Sequence, residues 1–177
     1  MTLLVAPRYE SIEGPLIFLA GPIQGAPPWQ DDAIRILQEI APDIHLANPR
    51  REGAHYKKGE FAQELYNEQV DWETHHLRRA ADDGLILFWL AKEAEHRCDR
   101  AYGQSSRFEI GEWKKEHESI GTPLVVGIDV GFTGGRYIRR RFGQDCPDVP
   151  IIGSLEETCK KAIELLHQFE REPFENS

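Results

Sequence analysis

Short apolar runs alternate along the chain with longer stretches of mixed character. Leu16-Ile17-Phe18-Leu19-Ala20 closes on Gly21-Pro22, Leu85 to Leu90 is apolar throughout, and Pro123 to Ile128 repeats the pattern. Ile44 to Ala47 and Pro150 to Ile152 are shorter versions. Continuous apolar runs of this length predict strands buried on both faces, as in parallel sheets. Between them apolar residues recur at helical spacing. Ala33, Ile34, Ile36, Leu37 and Ile40 predict a helix over 29–40. A longer helix is predicted over 60–81, with Phe61, Leu65, Val70, Trp72 and Leu77 as its inward positions. A third helix includes Ser105 to Trp113, and a terminal one runs from Ser154 to Phe169. The first fourteen residues show no clear period and read as an irregular lead-in. Five strands alternating with helices predict an α/β fold: three-layer, doubly wound, with a five-stranded, mostly parallel sheet of flavodoxin or Rossmann type. Residues 1–170 form one domain in this reading and 171–177 a polar tail, since 177 residues suffice for one well-buried core and not for two.

Ligands in such folds bind beyond the carboxyl ends of the strands. Three turns there carry candidate chemistry. The first is the loop Gly21 to Trp29, where Gly21, Pro22 and Gly25 let a ligand approach the backbone and Trp29 opens the next helix; it lacks the G-x-G-x-x-G spacing of a dinucleotide site. The second, Asn48-Pro49-Arg50-Arg51, ends the second strand. The third is the long charged loop Ala91 to Gln104, a candidate lid or site wall, which leads into Ser105-Ser106-Arg107-Phe108-Glu109. Ser106-x-x-Glu109 has two readings. It is a capping box, the device repeated at Ser154 and Glu157, or it presents a carboxylate nucleophile that the helix N-terminus keeps ionised. Glu73 lies about ten helical residues, roughly 15 Å, before the turn into the central strand, which climbs roughly 20 Å back. That geometry carries Trp72 and Glu73 toward the same sheet edge as Glu109. Arg139-Arg140-Arg141 reads as a solvated helix face or a phosphate reader.

Composition narrows the partners. Thirty acidic against 21 basic residues give a net charge of −9, which disfavours the phosphate contacts of nucleic-acid polymers and leaves a small molecule as ligand. No apolar run approaches the roughly 20 residues of a membrane span, and no secretory signal is visible at the N-terminus. Cys98, Cys146 and Cys159 form no metal-type spacing, and the histidines make no H-E-x-x-H. The expectation is a cytoplasmic protein without membrane partner, metal or other cofactor.

The ordered set Phe18-Leu19-Ala20-Gly21-Pro22, Asn48-Pro49-Arg50-Arg51, Gln69-Val70-Asp71-Trp72-Glu73, Ala81-Asp82 (or Asp83) before Leu87-Phe88-Trp89-Leu90, and Arg107-Phe108-Glu109-Ile110-Gly111 resembles the nucleoside 2-deoxyribosyltransferase family. The resemblance implies Glu109 as a nucleophile that attacks the anomeric carbon of a (deoxy)ribosyl group and expels the base. It implies a covalent glycosyl-enzyme resolved by a second nucleobase in a transferase, or by water in an N-glycoside hydrolase. Glu73 matches an acid that orients sugar or base. Gly21, Pro22, Gly25, Trp29, Asn48 and Trp72 are expected around a nucleoside or nucleotide, and a homo-oligomer is implied. The sequence departs from the better-known branch of the family just before the nucleophile. Gly103, Gln104, Ser105 and Ser106 stand where that branch has an aspartate facing the base, and Asp99 is the nearest acid. The proton donor is therefore unassigned. Ser105, Ser106 and Arg107 beside a helix N-terminus would suit a phosphate and a 5′-nucleotide substrate. A nucleotide-binding sensor without turnover is the competing reading from another class; flavin binding is a further one.

Overall fold

The computed structural model describes residues 2–51 and 63–171. Its strands are Leu3–Val5 (β1), Leu16–Ala20 (β2), His45–Asn48 (β3), Gly84–Leu90 (β4), Leu124–Ile128 (β5) and Ile151–Ile152 (β6). Its helices are Trp29–Ile40 (α1), Gln63–Asp82 (α2), Gln104–Ile120 (α3), Gly135–Asp145 (α4) and Leu155–Arg171 (α5). All strand pairs are parallel, in the order β1-β3-β2-β4-β5-β6.

The apolar runs bury both faces of this sheet. Phe18, Ala20, Ile86, Phe88 and Leu90 join the core under α2, α3 and α4, while Ile17, Leu19, Leu85, Leu87 and Trp89 join the core under α1 and α5. Alternation along each strand thus produces the three layers, and the doubly wound α/β fold is as expected. From β2 the chain moves to β3 on one side, then crosses back to β4 on the other. The order reverses between β2 and β4, and a crevice opens where their loops diverge.

The structure corrects the sequence expectation in three places. The sheet has six strands because part of the lead-in, Leu3–Val5, pairs with Leu46 to Asn48 at the edge. Helix α3 starts at Gln104, because Gly103 takes up the left-handed conformation (φ 62°) that ends the loop three residues earlier than capping by Ser106 would. No side chain caps it, so Ser106 and Glu109 do not form a capping box. At Ser154 the device is present in half: the Glu157 N–H donates to Ser154 Oγ at 3.2 Å. On α2, Trp72 and Leu77 are buried as expected, but Leu65 and Val70 are exposed. The inward stripe of α2 is Trp72, His76 and Ala80, and Val70 lies about 200° around the helix from Trp72. Phe61, the polar loop from Glu52 to Gly59 and the tail beyond Arg171 lie outside the described residues. No helix among the described residues is long and apolar enough to cross a membrane.

Candidate functional site

A cleft of about 760 Å³ opens at the carboxyl ends of β2 and β4. One wall is a stripe of α2, Tyr66, Gln69, Val70, Glu73, Thr74 and Leu77, whose spacing of three and four residues keeps it on one helix face. The facing wall is the corresponding stripe of α3, Ser105, Phe108, Glu109 and Glu112. Phe18 and Ala20 of β2 and the loop Gly21 to Gln24 contribute to the lining. The rim is apolar: Tyr66, Val70 and Phe108 are exposed there, with Phe108 75% accessible. Aromatic surface held open beside carboxylates suits a planar, partly polar ligand.

The Gly21 loop is shaped by backbone crowding. Gly21 adopts φ 150°, and a Cβ on it would stand 2.2 Å from the Trp89 carbonyl oxygen. Only glycine lets the chain turn off β2 across the end of β4. Trp29 then fixes the loop, its Nε1 donating to Pro22 O at 2.8 Å while the ring packs under the sheet. Gly25 ties this loop to the next one: its carbonyl accepts from the Ala94 and Glu95 N–H groups, at 2.8 and 3.1 Å. The Ala91 to Gln104 loop is further held by Tyr102, whose hydroxyl donates to Ala91 O. It therefore forms a fixed wall to the site.

Glu73 and Glu109 face into this space from α2 and α3. Burial first, and then the negative charges of Glu73 and Glu112, push the Glu109 carboxyl up to about 8. Burial also raises Glu73, against the hydrogen bond from Gln69 and the charge of Arg51. A relay supplies those two opposing effects. Arg51 Nε donates to Gln69 Oε1 at 2.6 Å, and Gln69 Nε2 donates to Glu73 Oε1 at 2.8 Å and to Pro49 O at 2.7 Å. Two carboxyls that repel each other in a poorly solvated cleft titrate as a pair, and near neutral pH that pair keeps a proton. The relay favours charge on Glu73 and so leaves the proton on Glu109. This reverses the expectation that the helix would keep Glu109 ionised. Glu109 stands in the second turn of α3, beyond the first-turn N–H groups, and desolvation together with like charge outweighs the dipole.

Of the residues singled out in the sequence, Gly21, Pro22, Glu73, Gly103, Gln104, Ser105, Ser106 and Glu109 line the cleft. Gly25, Trp29, Asn48, Trp72, Asp99 and Arg107 are outside its lining. Trp72 is fully buried, donates from Nε1 to Arg8 O and stacks on His76 at 4.0 Å between centroids. Asn48 accepts the Arg50 N–H on its Oδ1, closing the turn after β3. Asp99 forms an exposed pair with Arg97. Arg107 donates to Tyr102 O and Thr133 O and lies over the Phe132 ring, 4.5 Å from its centroid. Gly25 supports the loops from behind. Arg139 donates to Ile128 O and Arg141 pairs with Asp145, in keeping with a structural role for the arginine run. The sequence reading missed Tyr66, Gln69 and Arg100 as lining residues. A periodic search of α2 for a second stripe, mixing polar and aromatic residues, would have found the first two. Among the described residues no group of three potential ligands is placed to hold a metal.

The family model described as nucleoside 2-deoxyribosyltransferase like matches residues 14–123, more than half of the chain. The chain belongs to this family. The match begins just before β2 and ends at the start of β5, so it contains every residue that lines the cleft. A search among curated proteins finds no match to the chain. A nucleoside 2-deoxyribosyltransferase-like fold thus carries its two-carboxylate cleft at the point where the sheet order reverses.

Proposed function

We propose that the protein exchanges the base of (deoxy)nucleosides through a covalent glycosyl-enzyme on Glu109. The observation that carries this reading is the pairing of Glu73 and Glu109 across one cleft, with the pair retaining a proton near neutral pH. Cleavage of an N-glycosidic bond requires two things at once: a proton for the departing base nitrogen and an electron pair for the anomeric carbon. The carboxyl pair holds both. As the C1′–N bond breaks, its electrons go to the base, and the proton of the pair neutralises that nitrogen. In the productive microstate that proton stands on Glu73, across the cleft on the side of the base, so Glu109 is ionised and bonds to C1′ from the opposite face. Glu73, held in place by Gln69 and ionised by the transfer, then stabilises the oxocarbenium-like centre by its charge. An incoming base then attacks C1′ from the face the first base left, displaces Glu109, and returns a proton to the pair. Two displacements retain the configuration at C1′. This supplies the missing proton donor without an aspartate in the loop before α3. The rim formed by Tyr66, Val70 and Phe108 offers apolar surface to the base.

Incubation with a deoxynucleoside and a second free base tests the reading: the exchanged nucleoside is expected as product. Free base and free sugar alone would assign the chemistry to hydrolysis, and ligand-induced thermal stabilisation without turnover would make the chain a sensor. The pH dependence gives a second, signed test. Because Glu109 titrates near 8 in the free enzyme, the singly protonated pair is lost above about pH 8, and kcat/KM is expected to fall there as the departing base loses its proton source. Glu73→Gln removes that proton source together with the neighbouring charge, so Glu109 ionises at lower pH, the alkaline limb disappears and kcat falls by roughly 10²-fold. A limb that stays in place in the Glu73→Gln enzyme would separate the two carboxyls electrostatically.

A further inference from the structure

The turn that leaves β3, Asn48 to Arg51, reaches the cleft lining only at Pro49, yet it is bonded to the face of α2 that carries Glu73. Arg51, its side chain 11% exposed, pairs with Glu68 Oε2 at 2.8 Å and donates from Nη2 to Leu65 O at 3.3 Å. Its Nε donates to Gln69 Oε1 at 2.6 Å. The Gln69 amide then has one possible orientation. A guanidinium can only donate and a backbone carbonyl can only accept, so Oε1 faces Arg51 and Nε2 faces Pro49 O, 2.7 Å away. The second hydrogen on Nε2 is left for Glu73 Oε1, at 2.8 Å.

That bond distinguishes the two oxygens of Glu73. Oε1 accepts from Gln69, so a proton on the carboxyl stands on Oε2. Among the described residues the ionisable groups placed about this carboxyl are Glu109 and Glu112 of α3, Arg100 of the loop wall, Tyr66, Glu68 and His76 on α2 itself, and Arg51 behind Gln69. Burial and the like charges oppose ionisation of Glu73, while the Gln69 hydrogen bond and the Arg51 charge favour it. The relay therefore makes Glu73 the stronger acid of the pair. It holds the proton in the smaller fraction of molecules and releases it more readily there.

We infer that Arg51, acting through Gln69, is a positioning residue for Glu73: it holds the carboxyl so that Oε2 hands its proton to the leaving base. The inference rests on the transfer reading, in which Glu73 carries the transferable proton. As the C1′–N bond breaks, the proton leaves Oε2 for the base nitrogen, the O–H electron pair stays on the carboxylate, and the Gln69 bond to Oε1 is kept throughout. Neither Arg51 nor Gln69 gives up a proton. The turn after β3 thus belongs to the site although most of it lies outside the lining.

The pH profile of kcat/KM in Gln69→Leu, Arg51→Met and Arg51→Lys tests this. Gln69→Leu leaves Arg51 its bonds to Glu68 and Leu65 O, so the anchor of α2 is kept. Without the donor, charge on Glu73 is less favoured and the last proton of the pair is held more tightly, so the alkaline limb is expected to move to higher pH by about one unit. The plateau of kcat should fall by roughly tenfold, because Oε2 is no longer fixed. Arg51→Met should approach Gln69→Leu, and Arg51→Lys, which keeps the charge and one donor, should do less on both counts. A lower plateau with the limb unmoved, or displaced to lower pH, would reduce the relay to a strut of the fold and overturns the inference. Carbon-13 NMR of the glutamate carboxyls in the ligand-free protein reads the same titration without turnover, with near-UV circular dichroism verifying the fold. A titration that moves upward in Gln69→Leu although not even the wild type turns over a nucleoside supports the hold of the relay on Glu73, and the transfer reading alone fails. Base exchange whose limb and carboxyl titration are both indifferent to Gln69→Leu keeps the transfer reading and removes the relay.

Discussion

Glu109→Gln and Glu109→Ala are each expected to lower kcat/KM for base exchange by at least about 10³-fold while the protein stays folded. The loss is large because nothing else lining the cleft combines a carboxylate with the proton that Glu73 and Glu109 hold between them; Glu112 is one turn further along α3. Stability should move the other way. In the folded protein Glu109 keeps its proton up to about pH 8, whereas the unfolded chain releases it near the ordinary value of 4.5. Across that window the folded state binds more protons, so stability falls as pH rises. Glu109→Gln escapes this loss and is expected to be more stable than the wild type at pH 8 by on the order of 1 kcal/mol, measured by urea denaturation. Near-normal turnover in both variants would remove Glu109 from the chemistry.

Gly21→Ala is expected to be the most damaging single substitution in the loops of the site. The added methyl would lie 2.2 Å from Trp89 O and 2.9 Å from Trp29 Cζ2, and the backbone sits at φ 150°, which side chains rarely adopt. Neither contact can relax cheaply. Trp89 O belongs to the central strand, and the Trp29 ring is buried and tied through Nε1 to Pro22 O. Destabilisation of about 3 kcal/mol is expected, with loss of activity in whatever fraction stays folded, because the Gly21 to Gln24 loop lines the cleft. Gly25→Ala would strain a φ of 79° and press on Arg100 Nη2, a smaller effect because the guanidinium end can shift. Equal stability of Gly21→Ala and wild type would mean that the loop leaves β2 by another path.

The architecture was legible because the strands that make it are buried on both faces. Leu16–Ala20 and Leu85 to Leu90 are apolar without interruption, and a run of that kind has few other uses in a chain of this size. Leu3–Val5 escaped notice for the opposite reason. It is a three-residue edge strand in which only Leu4 is buried, too short to show a period. Glu73 and Glu109 could be brought to one sheet edge by counting rises along a helix and a strand. Their protonation could not be read that way, since it depends on how far each is desolvated and on the repulsion between them. The same limit applied to α2. Its length was apparent, but Val70 and Trp72, two residues apart, face opposite surroundings, and only the packed helix shows which of them meets the cleft. Arg100 was invisible for a related reason: one arginine among the charges of a long loop becomes distinctive only when the fold brings it to the cleft wall.

The central claim is a covalent bond between C1′ and Glu109. Its most direct test is intact-protein mass spectrometry after rapid quenching of the enzyme with a deoxynucleoside, or its 5′-monophosphate, in the absence of an acceptor base, followed by peptide mapping. A mass increase equal to one deoxyribosyl group (or its phosphate) is predicted, located on the peptide that contains Glu109 and absent from the Glu109→Gln variant. Turnover without any adduct on that peptide, or an adduct on another carboxylate such as Glu73, would contradict the account.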